Sequence, residues 1–192
     1  GSVEFSNLKK KYAKGQEMTG KTMGILGLGR IGRELASLAL GFGMKVMAYD
    51  PFVESSEIQV GDKMLDLSYK LITTNLDAVL SHSDYLSLHI PSLDKPVLDD
   101  QAFSKMKQGV IILNASRGES IDESALLNQL MQGKVHMAGL DVFHNEPTPD
   151  NRLLIHASIS TTPHIGASTI EAQNNIGVEL GEKMVEALLK NQ

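Results

Sequence analysis

The stretch Thr22-Met23-Gly24-Ile25-Leu26-Gly27-Leu28-Gly29-Arg30-Ile31-Gly32 decides the fold. Thr22–Leu26 is a short apolar run and predicts a buried strand. Gly27 to Gly32 then reads G-x-G-x-x-G. A helical pattern starts at Arg30 and reaches about Leu40, with Ile31, Leu35, Leu38 and Ala39 at helical spacing. Gly41 and Gly43 stop it. Lys45–Tyr49 is a second strand, ended by Asp50-Pro51. Strand, glycine turn, helix and strand in that order are the context that gives the glycine motif its meaning.

Each glycine has a separate job in such a turn. Gly27 permits the tight bend, Gly29 lets backbone approach a pyrophosphate, and Gly32 lets the helix pack close to the sheet. The helix N-terminus offers unpaired N–H groups to the anion. Asp50 closes the second strand, where a carboxylate can accept hydrogen bonds from both ribose hydroxyls of an adenosine. It would repel a 2′-phosphate, and Pro51-Phe52-Val53-Glu54 holds no Arg or Lys to neutralise one. The expected cofactor is therefore NAD and not NADP.

Further out, strands and helices keep alternating. A helix is expected over Thr74–Ser81, with Thr74 and Asp77 as a capping pair. Tyr85–Ile90 predicts a strand, Asp99–Met106 a helix and Val110–Asn114 a strongly apolar strand. Asp122–Gln132 predicts a helix, Val135–Val142 a strand, Glu146 to Asn151 a loop and Ser158–Thr161 a last short strand. A long helix should run from about Thr169 to Lys190, capped by Ser168-x-x-Glu171, with Ile176, Leu180, Met184 and Leu188 as a core-facing stripe. Residues 52–70 are weakly patterned and read as irregular. The alternation predicts an α/β fold, a Rossmann-type doubly wound parallel sheet with helices on both faces. Residues 1–20 read as an expression scar, Gly1-Ser2, and a polar lead-in carrying Lys9, Lys10, Lys11 and Lys14; residues 21–192 read as one domain.

Composition narrows the function. The 192 residues are 42% hydrophobic and 21% charged, an ordinary globular balance that excludes disorder. A net charge of −5, from 18 basic against 23 acidic residues, makes the chain a poor nucleic-acid binder. No run of about 18 apolar residues exists to span a membrane, and no polybasic cluster to sit on one. The absence of cysteine removes disulfides, thiolate metal sites and thiol catalysis, and fits a reducing compartment. His82, His136, His144 and His156 form no close ligand pair, so no metal is expected and they read as surface or loop residues. The nine methionines read as core filler.

Three side chains fall just beyond strands, where ligands bind in a doubly wound sheet. They are Arg117 in Ser116-Arg117-Gly118, Glu146 in Glu146-Pro147, and His164 in Pro163-His164-Ile165-Gly166. Singly, each is an ordinary loop residue. Together, beside a dinucleotide fingerprint, they suit a 2-hydroxy acid: Arg for the carboxylate, His for the hydroxyl proton, Glu to orient and charge-stabilise the His.

From about Lys21 to Glu182 the chain resembles the D-isomer-specific 2-hydroxyacid dehydrogenases. The strings that carry the resemblance include Gly27–Gly32, Asn114-Ala115-Ser116-Arg117-Gly118, Gly139-Leu140-Asp141-Val142-Phe143 with Glu146-Pro147, and Pro163-His164-Ile165-Gly166-Ala167-Ser168-Thr169. Ile121-Asp122-Glu123-Ser124-Ala125-Leu126 fits the same pattern. The last string, followed by Glu171-Ala172-Gln173, is similar to the D-3-phosphoglycerate dehydrogenase branch, which oxidises 3-phosphoglycerate to 3-phosphohydroxypyruvate on the route to serine. The resemblance implies His164 as general base, Glu146 as its partner and Arg117 as the substrate clamp. It puts Asp141 by the nicotinamide carboxamide, Ala115 and Ser116 along the nicotinamide, and Arg30 and Ile31 at the pyrophosphate. It sets His89-Ile90-Pro91 under the cofactor and Gly166 in the cofactor site. It further implies a cytoplasmic enzyme that dimerises through this domain.

The sequence departs from the family over Pro91–Asp99, which is short and lacks a threonine, and over an insertion at 59–73. The family's second, substrate-side domain is expected to lie outside this chain, so the fragment should hold NAD and turn over substrate poorly. Two alternatives stay open: a glyoxylate/hydroxypyruvate reductase, and an NAD(H)-sensing module of corepressor type.

Overall fold

Alternating apolar residues on β1 feed two separate cores, one on each face of the sheet. In the computed structural model β1 spans Thr22–Leu26. Met23 and Ile25 pack with Ala36, Ala39 and Met44 on the α2 side. Leu26 packs on the other face with Val79, Leu80, Phe103 and Leu126. The structure describes residues 2–11, 13, 15–61 and 67–190. Gly1, Lys14 and part of the 59–73 insertion lie outside the described residues.

The elements run α1 (Ser2–Lys11), β1, α2 (Arg30–Gly41), β2 (Lys45–Tyr49), β3 (Ser55–Gln59), β4 (Ser68–Ile72), α3 (Leu76–His82) and β5 (Tyr85–Leu88). Then come α4 (Asp100–Lys105), β6 (Val110–Asn114), a 3-10 turn (Gly118–Ser120), α5 (Glu123–Met131), β7 (Val135–Leu140), α6 (Asn151–Leu154), β8 (Ile159–Thr161) and α7 (Ile170–Lys190). Six strands form one sheet in the order β2-β1-β5-β6-β7-β8. Every neighbouring pair in it is parallel. The chain steps from β1 outward to β2, then returns to the other side of β1 to lay down β5. That reversal puts a crevice at the carboxyl ends of β1 and β5, where such sheets bind ligands.

Strands β1, β2 and β6 have the expected limits, because each apolar run is bounded by glycine, proline or a polar residue. Four expectations need correction. The described residues of 52–70 are not all irregular: Ser55–Gln59 pairs antiparallel with Ser68–Ile72, as β3 and β4. Only Ile58 and Leu71 anchor it, at 2% and 3% exposure, which is too sparse a pattern to read as strands. Helix α3 is capped by Asn75, whose side chain accepts from Ala78 N at 2.8 Å. Thr74 instead donates its N–H to Ala48 O, at the edge of β2. The cap of α7 is Thr169, whose hydroxyl accepts from Ala172 N at 3.1 Å; Ser168 N is bonded to Ile165 O.

The fourth correction is the stripe on α7. Ile176, Leu180, Met184 and Leu188 are 57–66% exposed and enter no core. Helical spacing sets which residues share a face, but not what covers that face. The methionines divide likewise: Met23, Met44 and Met106 are core, while Met131 and Met184 are exposed. The expected lead-in contains α1, whose described side chains are exposed. No helix among the described residues is long and apolar enough to cross a membrane.

Candidate active site

The glycine turn is shaped by backbone contacts a side chain would break. Gly27 has φ +93°, and a Cβ there would stand 2.4 Å from the His89 carbonyl oxygen. A Cβ on Gly32 would stand 2.1 Å from Gly27 O, so β1 and α2 can approach only without it. Gly29 differs, since a Cβ there meets nothing within 4 Å. Its open side is the space an approaching pyrophosphate needs.

Helix α2 starts without a side-chain cap and without an acidic residue in its first turn. By contrast Asn75, Asp99, Asp122 and Asp150 cap α3, α4, α5 and α6. The first N–H groups of α2 therefore face outward with the positive end of the helix dipole behind them. These residues fit the phosphates of a dinucleotide.

Asp50 braces the turn. Its Oδ2 accepts from Leu28 N at 2.8 Å. Its Oδ1 accepts from Phe52 N at 2.8 Å and Val53 N at 3.2 Å. The carboxylate keeps lone pairs for further donors. Ile31 is 66% exposed at the α2 N-terminus. Arg30 reaches out of the turn and donates from both Nη atoms to Glu179 on α7, at 2.9 and 2.7 Å. Hydrogen bonds from Arg30 and Lys183 pull the Glu179 carboxyl down to about 2. His89, just past β5, is half-buried with Nε2 3.0 Å from Ser87 Oγ, and burial lowers its pKa.

The other expected residues follow along the same sheet edge in strand order. Pro91 lies past β5; Ala115, Ser116 and Arg117 lie past β6; Asp141 follows β7; His164 follows β8. Five strand spacings of about 4.8 Å separate β2 from β8, on the order of 24 Å. Pro91 and Ala115 are exposed in the middle of that edge, with no hydrogen bond to either end among those described.

At the β8 end the structure joins three side chains. His164 Nδ1 lies 2.7 Å from Glu146 Oε2. The other Glu146 oxygen accepts from Phe143 N at 2.9 Å. The hydrogen bond from His164, then that from Phe143, hold the Glu146 carboxyl below its usual range. An ionised carboxylate can only accept, so Nδ1 carries the proton it donates to Glu146. Arg117 lines the same cavity, about 150 Å³, together with Glu146 and His164. Gly118 makes this approach possible: a Cβ there would stand 2.0 Å from the Phe143 carbonyl carbon. His144 also lines the cavity.

Asp141 is buried, and its carboxylate is turned to the loop that carries His164. Oδ1 accepts from Thr162 Oγ1 at 2.5 Å and Ile165 N at 2.9 Å. Oδ2 accepts from Gly166 N at 2.9 Å. Burial raises the carboxyl, but the bonds from Thr162, Ile165 and Gly166 outweigh it and leave it below the usual range. They brace a loop in which His164 itself has φ +54°, a conformation uncommon outside glycine.

Asn114 and Thr162 belong to this scaffold and escaped the sequence reading as site residues. Asn114 Oδ1 accepts from Ser116 N and Oγ, at 3.1 and 2.8 Å, and its Nδ2 donates to Arg117 O at 2.9 Å. Arg117 Nη1 in turn donates to Ser116 O at 2.6 Å. The available signal was a buried polar residue closing an apolar strand. Among the described residues no group of three His, Cys, Asp or Glu is placed to hold a metal.

The model of the D-isomer specific 2-hydroxyacid dehydrogenase NAD-binding domain matches residues 2–166. The chain belongs to this family. As a family member it is an NAD-binding domain, with the fold described above. A hydroxypyruvate reductase of Thermotoga maritima is 43% identical over 192 residues, 97% of this chain and 59% of its own length. A D-3-phosphoglycerate dehydrogenase of Archaeoglobus fulgidus is 42% identical over 188 residues, 96% of this chain and 34% of its own length. The chain thus spans 59% or less of these two relatives. Among solved structures, a D-lactate dehydrogenase of Aquifex aeolicus complexed with NAD and lactic acid superposes with a TM-score of 0.72 at 30% identity. That match covers 98% of this chain and 61% of the other.

Asp50 carries a prediction for this family member. Asp50→Ala removes the brace on Leu28 and the acceptor expected for the ribose. Losing one charge-assisted hydrogen bond weakens NAD binding about 10- to 100-fold and narrows the preference over NADP. Equal affinities for both cofactors in parent and variant would show that Asp50 does not face the ribose.

Proposed function

We propose that this chain is the cofactor domain of an enzyme that oxidises a D-2-hydroxy acid with NAD, and that the acid is 3-phosphoglycerate. The observation that carries the reading is the 2.7 Å contact of His164 with Glu146 in the cavity that Arg117 also lines. Gly27, Gly29, Gly32 and the α2 N-terminus would hold the phosphates, with Asp50 on the adenosine ribose. NAD, when bound, supplies the hydride acceptor.

The remaining work falls to the chain's own side chains. Arg117 pairs with the substrate carboxylate, for which a guanidinium is suited in charge and shape. His164 Nε2 takes the hydroxyl proton, since Nδ1–H is committed to Glu146. The Glu146 carboxylate favours the imidazolium that results and fixes the ring. Asp141 and Asn114 keep the His164 and Arg117 loops in position. In the reverse direction the imidazolium returns its proton to the carbonyl oxygen. A sensing module would need no base held on a carboxylate beside an arginine, so this trio favours catalysis. Cytoplasmic location and homodimerisation go with this reading through the family resemblance.

The resemblance of the Gly166-Ala167-Ser168-Thr169 segment to the phosphoglycerate branch supports the choice of substrate. The 43% identity to a hydroxypyruvate reductase favours a second reading, in which the acid is glycerate. Steady-state rates with NAD, for a protein that carries this chain together with its substrate-side sequence, separate the two. A higher kcat/KM for 3-phosphoglycerate than for D-glycerate is expected. A preference for D-glycerate would move the assignment to the second reading.

A further inference from the structure

Arg30 is the first residue of α2 and neighbours Gly29, the open position of the cradle. Both of its Nη atoms are engaged by Glu179, which lies 149 residues further along the chain. Glu179 Oε1 also accepts from Lys183 Nζ at 2.7 Å, one turn on in α7. The first turn of α2 contributes no acidic residue of its own. The negative charge paired with Arg30 therefore comes from a distant element, and α7 buries none of its side chains. An ion pair this exposed is worth little by itself, so a ligand can exchange it at small cost.

We propose that Glu179 is a latch on Arg30, competing with the cofactor's pyrophosphate for the guanidinium, so that filling the cradle loosens α7 and docking α7 weakens the hold on the cofactor. This rests on the reading that Arg30 meets the pyrophosphate. The shared guanidinium makes the coupling antagonistic. Glu179 holds the paired Nη fork, two of the five N–H donors, and that fork is the face a phosphate would take. The coupling runs both ways by linkage, so α7 position and cofactor affinity report on each other.

Calorimetric titration of NAD and of adenosine, which lacks phosphate, tests this on the chain and on Glu179→Gln, Arg30→Gln and the double variant. Glu179→Gln should tighten NAD about two- to fivefold and leave adenosine unchanged. Arg30→Gln should weaken NAD, and in that background Glu179→Gln should have no further effect. If Arg30→Gln weakens NAD but Glu179→Gln leaves it unchanged or weaker, the latch is overturned while the Arg30 reading stands. If Arg30→Gln has no effect on NAD, the Arg30 reading fails and the latch with it.

Discussion

Replacing His164 removes turnover and leaves NAD binding intact, in a protein that carries this chain together with its substrate-side sequence. Positioned acid–base catalysis is worth about 100- to 10,000-fold in rate, so kcat should fall by that order while the NAD dissociation constant stays within about twofold. The choice of variant matters, because His164 sits at φ +54°. Alanine resists that conformation and asparagine tolerates it. His164→Asn therefore separates loss of the base from loss of the loop, and His164→Ala combines them. Glu146→Gln keeps the contact at 2.7 Å within reach but removes the charge. It should cut kcat without raising KM, since the charge acts on the imidazolium formed during proton transfer. If His164→Asn lost NAD binding as well, the histidine would be a structural residue.

The second large effect belongs to Asp141. It is 8% exposed and accepts three hydrogen bonds from the loop of residues 162–166. Asp141→Asn turns an amide NH2 toward donors that need an acceptor. Breaking such a buried charged network costs about 2–4 kcal/mol, a fall of roughly 5–15 °C in Tm. The pH dependence has a fixed sign. A carboxyl whose folded pKa is depressed contributes stability above its unfolded value and loses it as pH falls through the folded one. Asp141 has an ordinary value of 3.8 and is lowered in the fold. The stability gap between parent and Asp141→Asn should therefore be full at neutral pH and close as pH falls below 3.8. A gap unchanged between pH 7 and pH 3, or a Tm equal to the parent's at pH 7, would contradict this role.

The sheet was readable because its strands are buried on both faces and carry dense apolar runs. Val110–Asn114 is an example, preceded by Gly109 and ending on the buried polar Asn114. The hairpin of β3 and β4 was not, because each strand commits one buried side chain, Ile58 and Leu71. Caps shifted by one residue at α3 and α7, where two competent side chains stand together. At α3 the Asn75 side chain takes the cap, while Thr74 ties the helix entry to β2 through its N–H.

The site shows the same division. That Arg117, Glu146 and His164 lie past strand ends follows from the order of strands, and the structure adds that they share a cavity. What a carboxylate accepts is settled in three dimensions. Asp141 falls within the strand expected over Val135–Val142 and is marked only by the family resemblance, yet its oxygens hold the turn that presents His164. No local feature of the sequence marks Glu179, and only the path of α7 brings it to Arg30.

Calorimetric titration of NAD and NADP into this chain, with its folding checked on the same sample, is the measurement to make first. Saturable NAD binding is expected, with NADP at least about tenfold weaker if, as proposed, Asp50 takes the ribose and no nearby cation neutralises a 2′-phosphate. A folded chain that binds NADP as tightly as NAD, or that binds neither, would contradict the assignment of the Gly27–Gly32 cradle and Asp50 to an NAD site.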